Sequence, residues 1–154
     1  MGKILTAGTY APTAANTQAV NFKLVRRLED KRLVCENTSL WFRHSIPNVI
    51  ILVLYDLVKA KKCKLNLKGW HNRFIWQDSA CATMNMMLVA EGLGLKTCWA
   101  SFDSKQQQRV LKYFNLKNMA LTNAVFIGYS DQKVNVNYAS HQGRPIKRSV
   151  KVVK

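Results

Sequence analysis

The sequence predicts one three-layer α+β domain over residues 1–154, with helices packed on a central sheet. Three observations predict it. A length of 154 residues is that of a single domain. With 48% hydrophobic and 21% charged residues, the chain has enough apolar matter for a core and too little charge to stay disordered. Strand-like and helix-like segments roughly alternate from Val20 onward, and layering helices on a sheet is the economical way to bury both.

The elements follow in order. Residues 3–9 allow one or two helical turns, stopped near Pro12. The small, polar stretch 11–18 reads as a structured loop. Val20–Val25 alternates apolar and polar residues, as a half-buried strand does, and residues 31–35 offer it a hairpin partner. Residues 37–44 are a short helical candidate. The run 48–55 is β-branched and continuously apolar, the pattern of a central strand covered on both faces. Residues 59–72 are basic and irregular, which suggests a surface excursion.

Residues 76–94 form the strongest segment. Asp78 or Ser79 can cap its start, because a short acceptor satisfies free amides of the first turn. The stretch is apolar nearly all round, which predicts a buried central helix whose Met84, Met86 and Met87 pack in the core. Gly92 and Gly94 supply the stop, and Glu91 caps or pairs. Lys96–Ala100 is a short strand. Asp103 or Ser104 caps a helix through residues 106–114, and residues 120–128 are another strand. The tail, 142–154, is polar and basic, with extended pairing available at 149–153.

Several classes are excluded or disfavoured. No apolar run approaches the roughly 20 residues that span a bilayer. The first residues lack the apolar stretch of a signal peptide. Cys35, Cys63, Cys81 and Cys98 form no CxxC pair, and His44, His71 and His141 do not supply ligand spacing, so neither a zinc site nor a disulfide framework is predicted. Cys81 and Cys98 lie in apolar runs and read as buried thiols, which suits a reducing, cytoplasmic setting. No cysteine has an adjacent base that would make it a nucleophile. His71 and Trp70, in the basic stretch, read as surface residues.

The charge is unusual: 24 Lys and Arg against 8 Asp and Glu give +16. Such a surface attracts polyanions. The basic residues are scattered, however, and form no unbroken tail of the kind that marks a nucleic-acid arm.

Two segments taken together carry a resemblance. One is Tyr10-Ala-Pro-Thr-Ala-Ala-Asn-Thr-Gln18, followed by the strand at Phe22. The other is Asp78-Ser-Ala-Cys-Ala-Thr-Met-Asn85, continued by Leu88-Val-Ala-Glu-Gly-Leu-Gly-Leu-Lys-Thr-Cys-Trp99 and Phe102-Asp103. Their order and spacing resemble the nitroreductase family of flavoproteins from residue 4 to residue 150, thinly between 31 and 70.

The resemblance implies an α+β fold with a mixed or antiparallel sheet flanked by helices, and a homodimer with FMN at the subunit interface. It implies hydride transfer from NAD(P)H through the flavin to a small acceptor of quinone, nitroaromatic or enone type, in a ping-pong scheme. By the family pattern, Thr13, Ala14, Asn16 and Gln18 reach the flavin. Carboxamides both donate and accept, which suits a flavin ring edge; a self-capped turn is the competing reading of the same residues. The family places backbone amides near flavin N5 at the stretch that corresponds to Trp99, Ala100 and Ser101; a core aromatic is the competing reading of Trp99. Arg144, Lys147 and Arg148 stand where the family has a basic phosphate contact, and arginine's planar fork suits a phosphate. No side-chain acid or base is needed.

Three departures stand out. Ala14 replaces the family's serine, and the turn after Cys98 is one residue shorter. No arginine-serine-x-arginine segment precedes the first helix. The competing functions are a shortened, non-catalytic relative acting as a binding or scaffolding module, and a basic nucleic-acid-associated protein.

Overall fold

The computed structural model describes residues 1–38, 46–65 and 73–130. The elements are α1 (Gly2–Thr9), β1 (Val20–Val25), α2 (Leu28–Glu36), β2 (Val49–Asp56), α3 (Leu57–Lys62), α4 (Arg73–Gly92), β3 (Lys96–Ala100), α5 (Ser104–Tyr113) and β4 (Met119–Gly128). The four strands form one antiparallel sheet in the order β1-β2-β4-β3. The sheet is therefore antiparallel rather than mixed.

Alternation along β2 builds the layers, because successive side chains point to opposite faces. Ile50, Leu52 and Leu54 face a core shared with Val34 of α2 and Val110 of α5. Ile51 and Val53 face a second core with Ile4 of α1 and Met86 and Ala90 of α4. Helices thus cover both faces of the sheet. One register shift interrupts it: Val53 opposes Asn123 and Leu54 opposes Leu121, so Thr122 is the extra residue of a β-bulge. The Thr122 hydroxyl lies 3.1 Å from the Val53 carbonyl and 3.0 Å from Asn123 Oδ1. Asn123 Nδ2 donates to Thr83 Oγ1 of α4 at 2.9 Å. This buried polar chain ties α4 to the sheet.

Four expectations are corrected. Residues 31–35 lie in α2 and are not a strand. Glu29 and Asp30 favour a helix N-terminus there, and the longer apolar run of β2 takes the pairing edge of β1. The stretch after residue 56 is not wholly irregular. Asp56 Oδ1 accepts from the amides of Val58 and Lys59, both at 2.9 Å, and so starts α3. Asp78 and Ser79 are no caps, because α4 begins at Arg73 and both lie within it. Nor is α4 buried all round: Cys81, Trp76, Met84 and Leu88 are exposed. The expectations for residues 39–45, His44, Trp70, His71, His141 and the tail 142–154 lie outside the described residues.

The remaining boundaries follow from local chemistry. Gly94 adopts φ +76, a left-handed conformation open to glycine, and ends the α4 connection. Asp103 and Gln106 make a reciprocal capping box at the start of α5. Glu91 pairs with Lys96.

Gly8 of α1 has a packing reason. A Cβ there would lie 2.6 Å from Phe22 Cζ and 3.0 Å from Met86 Cγ. Overpacking costs about 1–3 kcal/mol, and alanine's better helix propensity offsets about 1 kcal/mol. Gly8→Ala is therefore expected to destabilise the protein. The check is urea unfolding: a lower midpoint with an unchanged slope is expected.

Candidate functional site

The loop between α1 and β1 is strained. Thr13 is extended, residues 14–16 make a single 3-10 turn, and Ala15, Asn16 and Gln18 have φ of 49°, 51° and 50°. Each left-handed non-glycine residue costs about 1–2 kcal/mol, least for asparagine. Such a conformation persists only where surrounding bonds over-determine it. Here they do. The Gln18 amide donates to Thr13 Oγ1 at 2.9 Å and the Asn16 amide to the Thr13 carbonyl at 2.9 Å. Lys59 Nζ of α3 donates to the Gln18 carbonyl at 2.9 Å. The Ala14 amide donates to Asp78 Oδ1 of α4 at 3.0 Å.

The side chains left over are the informative ones. Asn16 and Gln18 are exposed. Among the described residues, neither carboxamide enters a hydrogen bond. The Thr13 hydroxyl oxygen is engaged within the loop, so the self-capped reading holds for Thr13 and not for the two carboxamides.

Asp78 lies beneath the loop and is 5% exposed. Its Oδ2 accepts the Tyr55 hydroxyl at 3.1 Å. Burial pushes the Asp78 carboxyl above its ordinary value, against the two hydrogen bonds that favour the ionised form. Burial also pushes the Tyr55 phenol up to about 12, and the neighbouring carboxylate adds to that shift. At neutral pH Tyr55 therefore remains the donor. Sequence reasoning took Asp78 for a cap and missed this role. The available signal was its rarity, since Asp78 and Glu91 are the only acids in α4.

The second predicted segment leaves β3. Trp99 is 37% exposed, Ala100 is buried, and Ser101 is exposed beyond the last paired position, Ala100 opposite Ala124. Phe102 then anchors the turn in the core under α5. The loop feeds β1 and the turn leaves β3, which are the two edge strands. Three strand spacings separate those edges, about 14 Å at ~4.8 Å each. One chain thus presents the two halves of the predicted site at opposite edges of its sheet. Arg144, Lys147 and Arg148 lie outside the described residues.

The exposed side of α4 carries Gln77, Cys81, Met84, Leu88 and Glu91, spaced four, three, four and three residues apart. Trp76, Met84 and Leu88 are 48%, 51% and 61% exposed. Apolar residues at that spacing make a seam for another helix. Among the described residues no helix is long and apolar enough to cross a membrane, and no three His, Cys, Asp or Glu side chains gather as metal ligands.

The fold superposes on those of several solved flavin-linked proteins. An NADPH:FMN oxidoreductase from Vibrio harveyi, complexed with NAD+, superposes with a TM-score of 0.78 at 18% identity, over 99% of this chain and 66% of that one. A candidate nitroreductase from Desulfovibrio desulfuricans, in complex with FMN, gives 0.76 at 22% identity, over 99% and 83%. An FMN-dependent nitroreductase from Clostridium difficile gives 0.75 at 18% identity, over 99% and 86%. At these identities the likeness establishes the fold. Residues 46–129 match the model of the Nitroreductase family, and the chain belongs to that family. No curated protein sequence matches it.

Proposed function

We propose that the protein is an FMN-dependent NAD(P)H oxidoreductase that works as a homodimer. The observation that carries this reading is the pinned loop, with two unengaged carboxamides, in a chain of the Nitroreductase family. The donor set suits the ring edge of a flavin: Asn16 and Gln18 can each donate and accept. A conformation strained at three positions and held from two helices is pre-organised for a ligand. Bound there, FMN supplies two-electron hydride chemistry between NAD(P)H and a small acceptor, of quinone, nitroaromatic or enone type, in a ping-pong order.

The chain's own residues bind and orient. Asn16 and Gln18 hold the ring edge. Thr13 and Ala14 shape the loop behind them. From the partner's opposite sheet edge, Trp99, Ala100 and Ser101 would line the other side of the bound group. The acid at that turn, Asp103, is committed to capping α5, and no side-chain acid or base is assigned to the chemistry. Arg144, Lys147 and Arg148 are the proposed phosphate grip, since guanidinium groups engage phosphate oxygens in pairs. The second subunit docks on the α4 stripe, which explains why a helix predicted to be buried all round shows an apolar face. Four free thiols support a reducing, cytoplasmic setting.

The experiment is direct. Purified protein is mixed with FMN, desalted, and scanned for the flavin bands; NADH and NADPH oxidation are then followed with a quinone. Retained flavin with NAD(P)H oxidation is the expected result. A colourless protein that releases all added FMN overturns the reading in favour of a non-catalytic relative.

A further inference from the structure

We infer that Asp78 is the positioning residue of this loop, fixing from α4 the geometry in which Asn16 and Gln18 present their carboxamides. The inference rests on the proposal that the loop holds FMN.

The amide of Ala14 opens the 3-10 turn, so no backbone carbonyl of that turn is available to it. A capping side chain on Thr13 would reach the second or third amide of the turn, not this first one. Thr13 makes no such cap, because its hydroxyl accepts from Gln18 instead. The missing acceptor comes from another element, 64 residues away in sequence. Asp78 is suited to it. Its carboxylate is buried and has two acceptor oxygens, one directed to Ala14 and the other to Tyr55. Hydrogen bonds to a charged acceptor are stronger than neutral ones. Leaving such a group buried without partners is costly, so loop and carboxylate hold each other.

The Asn16 and Gln18 amides both bond to Thr13, and Lys59 of α3 holds the Gln18 carbonyl, but none of these bonds satisfies the Ala14 amide. Three left-handed residues within four positions, none of them glycine, would relax if released. The link to α4 completes the set of bonds that holds this conformation. Tyr55, a residue of β2, holds the other oxygen and fixes the carboxylate's rotation. The hydrogen bonds of Asp78 among the described residues go to Ala14 and Tyr55, so it acts on Asn16 and Gln18 through Ala14.

The test compares Asp78→Ala, Asp78→Asn and Ala14→Pro with wild type. Two quantities are read: deuterium exchange of loop amides in FMN-free protein, and FMN affinity by fluorescence quenching. Asp78→Ala is expected to speed exchange at Gln18 and weaken FMN binding, each by about tenfold or more, the effect of losing a hydrogen bond to a charged group. Asp78→Asn should restore both to near wild type, because its oxygen can accept from Ala14 and its nitrogen donate to Tyr55. Ala14→Pro removes the same bond from the loop side. Proline fits there, since Thr13 is extended at φ −130 and ψ 147. It decides the matter if Asp78→Ala does not fold.

Wild-type exchange and affinity in both Asp78→Ala and Ala14→Pro would overturn the inference. So would faster exchange with unchanged affinity. If wild type binds no FMN, the proposed function fails, and exchange in the FMN-free protein still decides whether Asp78 sets the loop.

Discussion

Leu88→Glu is expected to leave the chain folded, halve its mass by light scattering, and abolish FMN retention. Leu88 is 61% exposed in the single chain. Glutamate is as good a helix former as leucine, so the substitution should change monomer stability by no more than about 0.5 kcal/mol. In the proposed dimer the same position lies in the seam formed with Cys81 and Met84. Two carboxylates would then be brought near each other and away from water, at a cost of several kcal/mol. The predicted site needs the loop of one chain and the β3 turn of another, so a monomer keeps only half of it. Unchanged mass with unchanged FMN retention would remove α4 as the interface. Halved mass with FMN retained would mean that one chain completes the site alone.

Asn123→Ala is expected to cost about 3 kcal/mol, the largest stability loss proposed here. Asn123 is buried and bridges the bulge residue Thr122 to Thr83 of α4. Truncation strands Thr83 Oγ1 and leaves Thr122 only its bond to the Val53 carbonyl, at about 1–3 kcal/mol for each buried group left without a partner. The volume lost adds a cavity term. A companion variant separates polarity from packing. Asn123→Leu with Thr83→Val removes both ends of the bond while filling the space, and should recover most of the loss. Urea unfolding reads both. If the double variant is as unstable as the sum of its parts, packing rather than the polar chain holds α4 to the sheet.

Much of the sheet was legible in the sequence. β1 and β3 have their expected bounds, and β2 and β4 differ by a residue or so, because alternation and β-branched runs are local signals. The misreadings share a cause. Residues 31–35 were assigned to a strand on apolar content, while the acids just before them already favoured a helix. In α4 the sequence showed apolar residues on every side, and a residue that faces its own core looks the same as one that faces a partner. Met86 is buried and Met84 is half exposed, yet nothing in their neighbours separates them. The loop residues were found through their motif. The hold on that loop was not, because the Ala14–Asp78 bond joins positions far apart in the chain. The bond by which the Thr13 hydroxyl oxygen accepts from the Gln18 amide is one that the self-capped reading of the loop anticipates.

The strand order also has a consequence for synthesis. β2 is central, pairing with β1 on one side and β4 on the other, with Val49 opposite Ile127. β2 thus leaves the ribosome long before its second neighbour exists. Ile50 to Tyr55 is buried throughout in the finished protein and carries no charge, the composition of a segment that aggregates when its edge stays open. Pairing across so long a loop is slow, because loop closure must precede the contacts that reward it. The nascent chain is therefore most vulnerable while α4 and β3 are being made. Release of the chain before residue 128 should yield insoluble product, however well the finished domain folds.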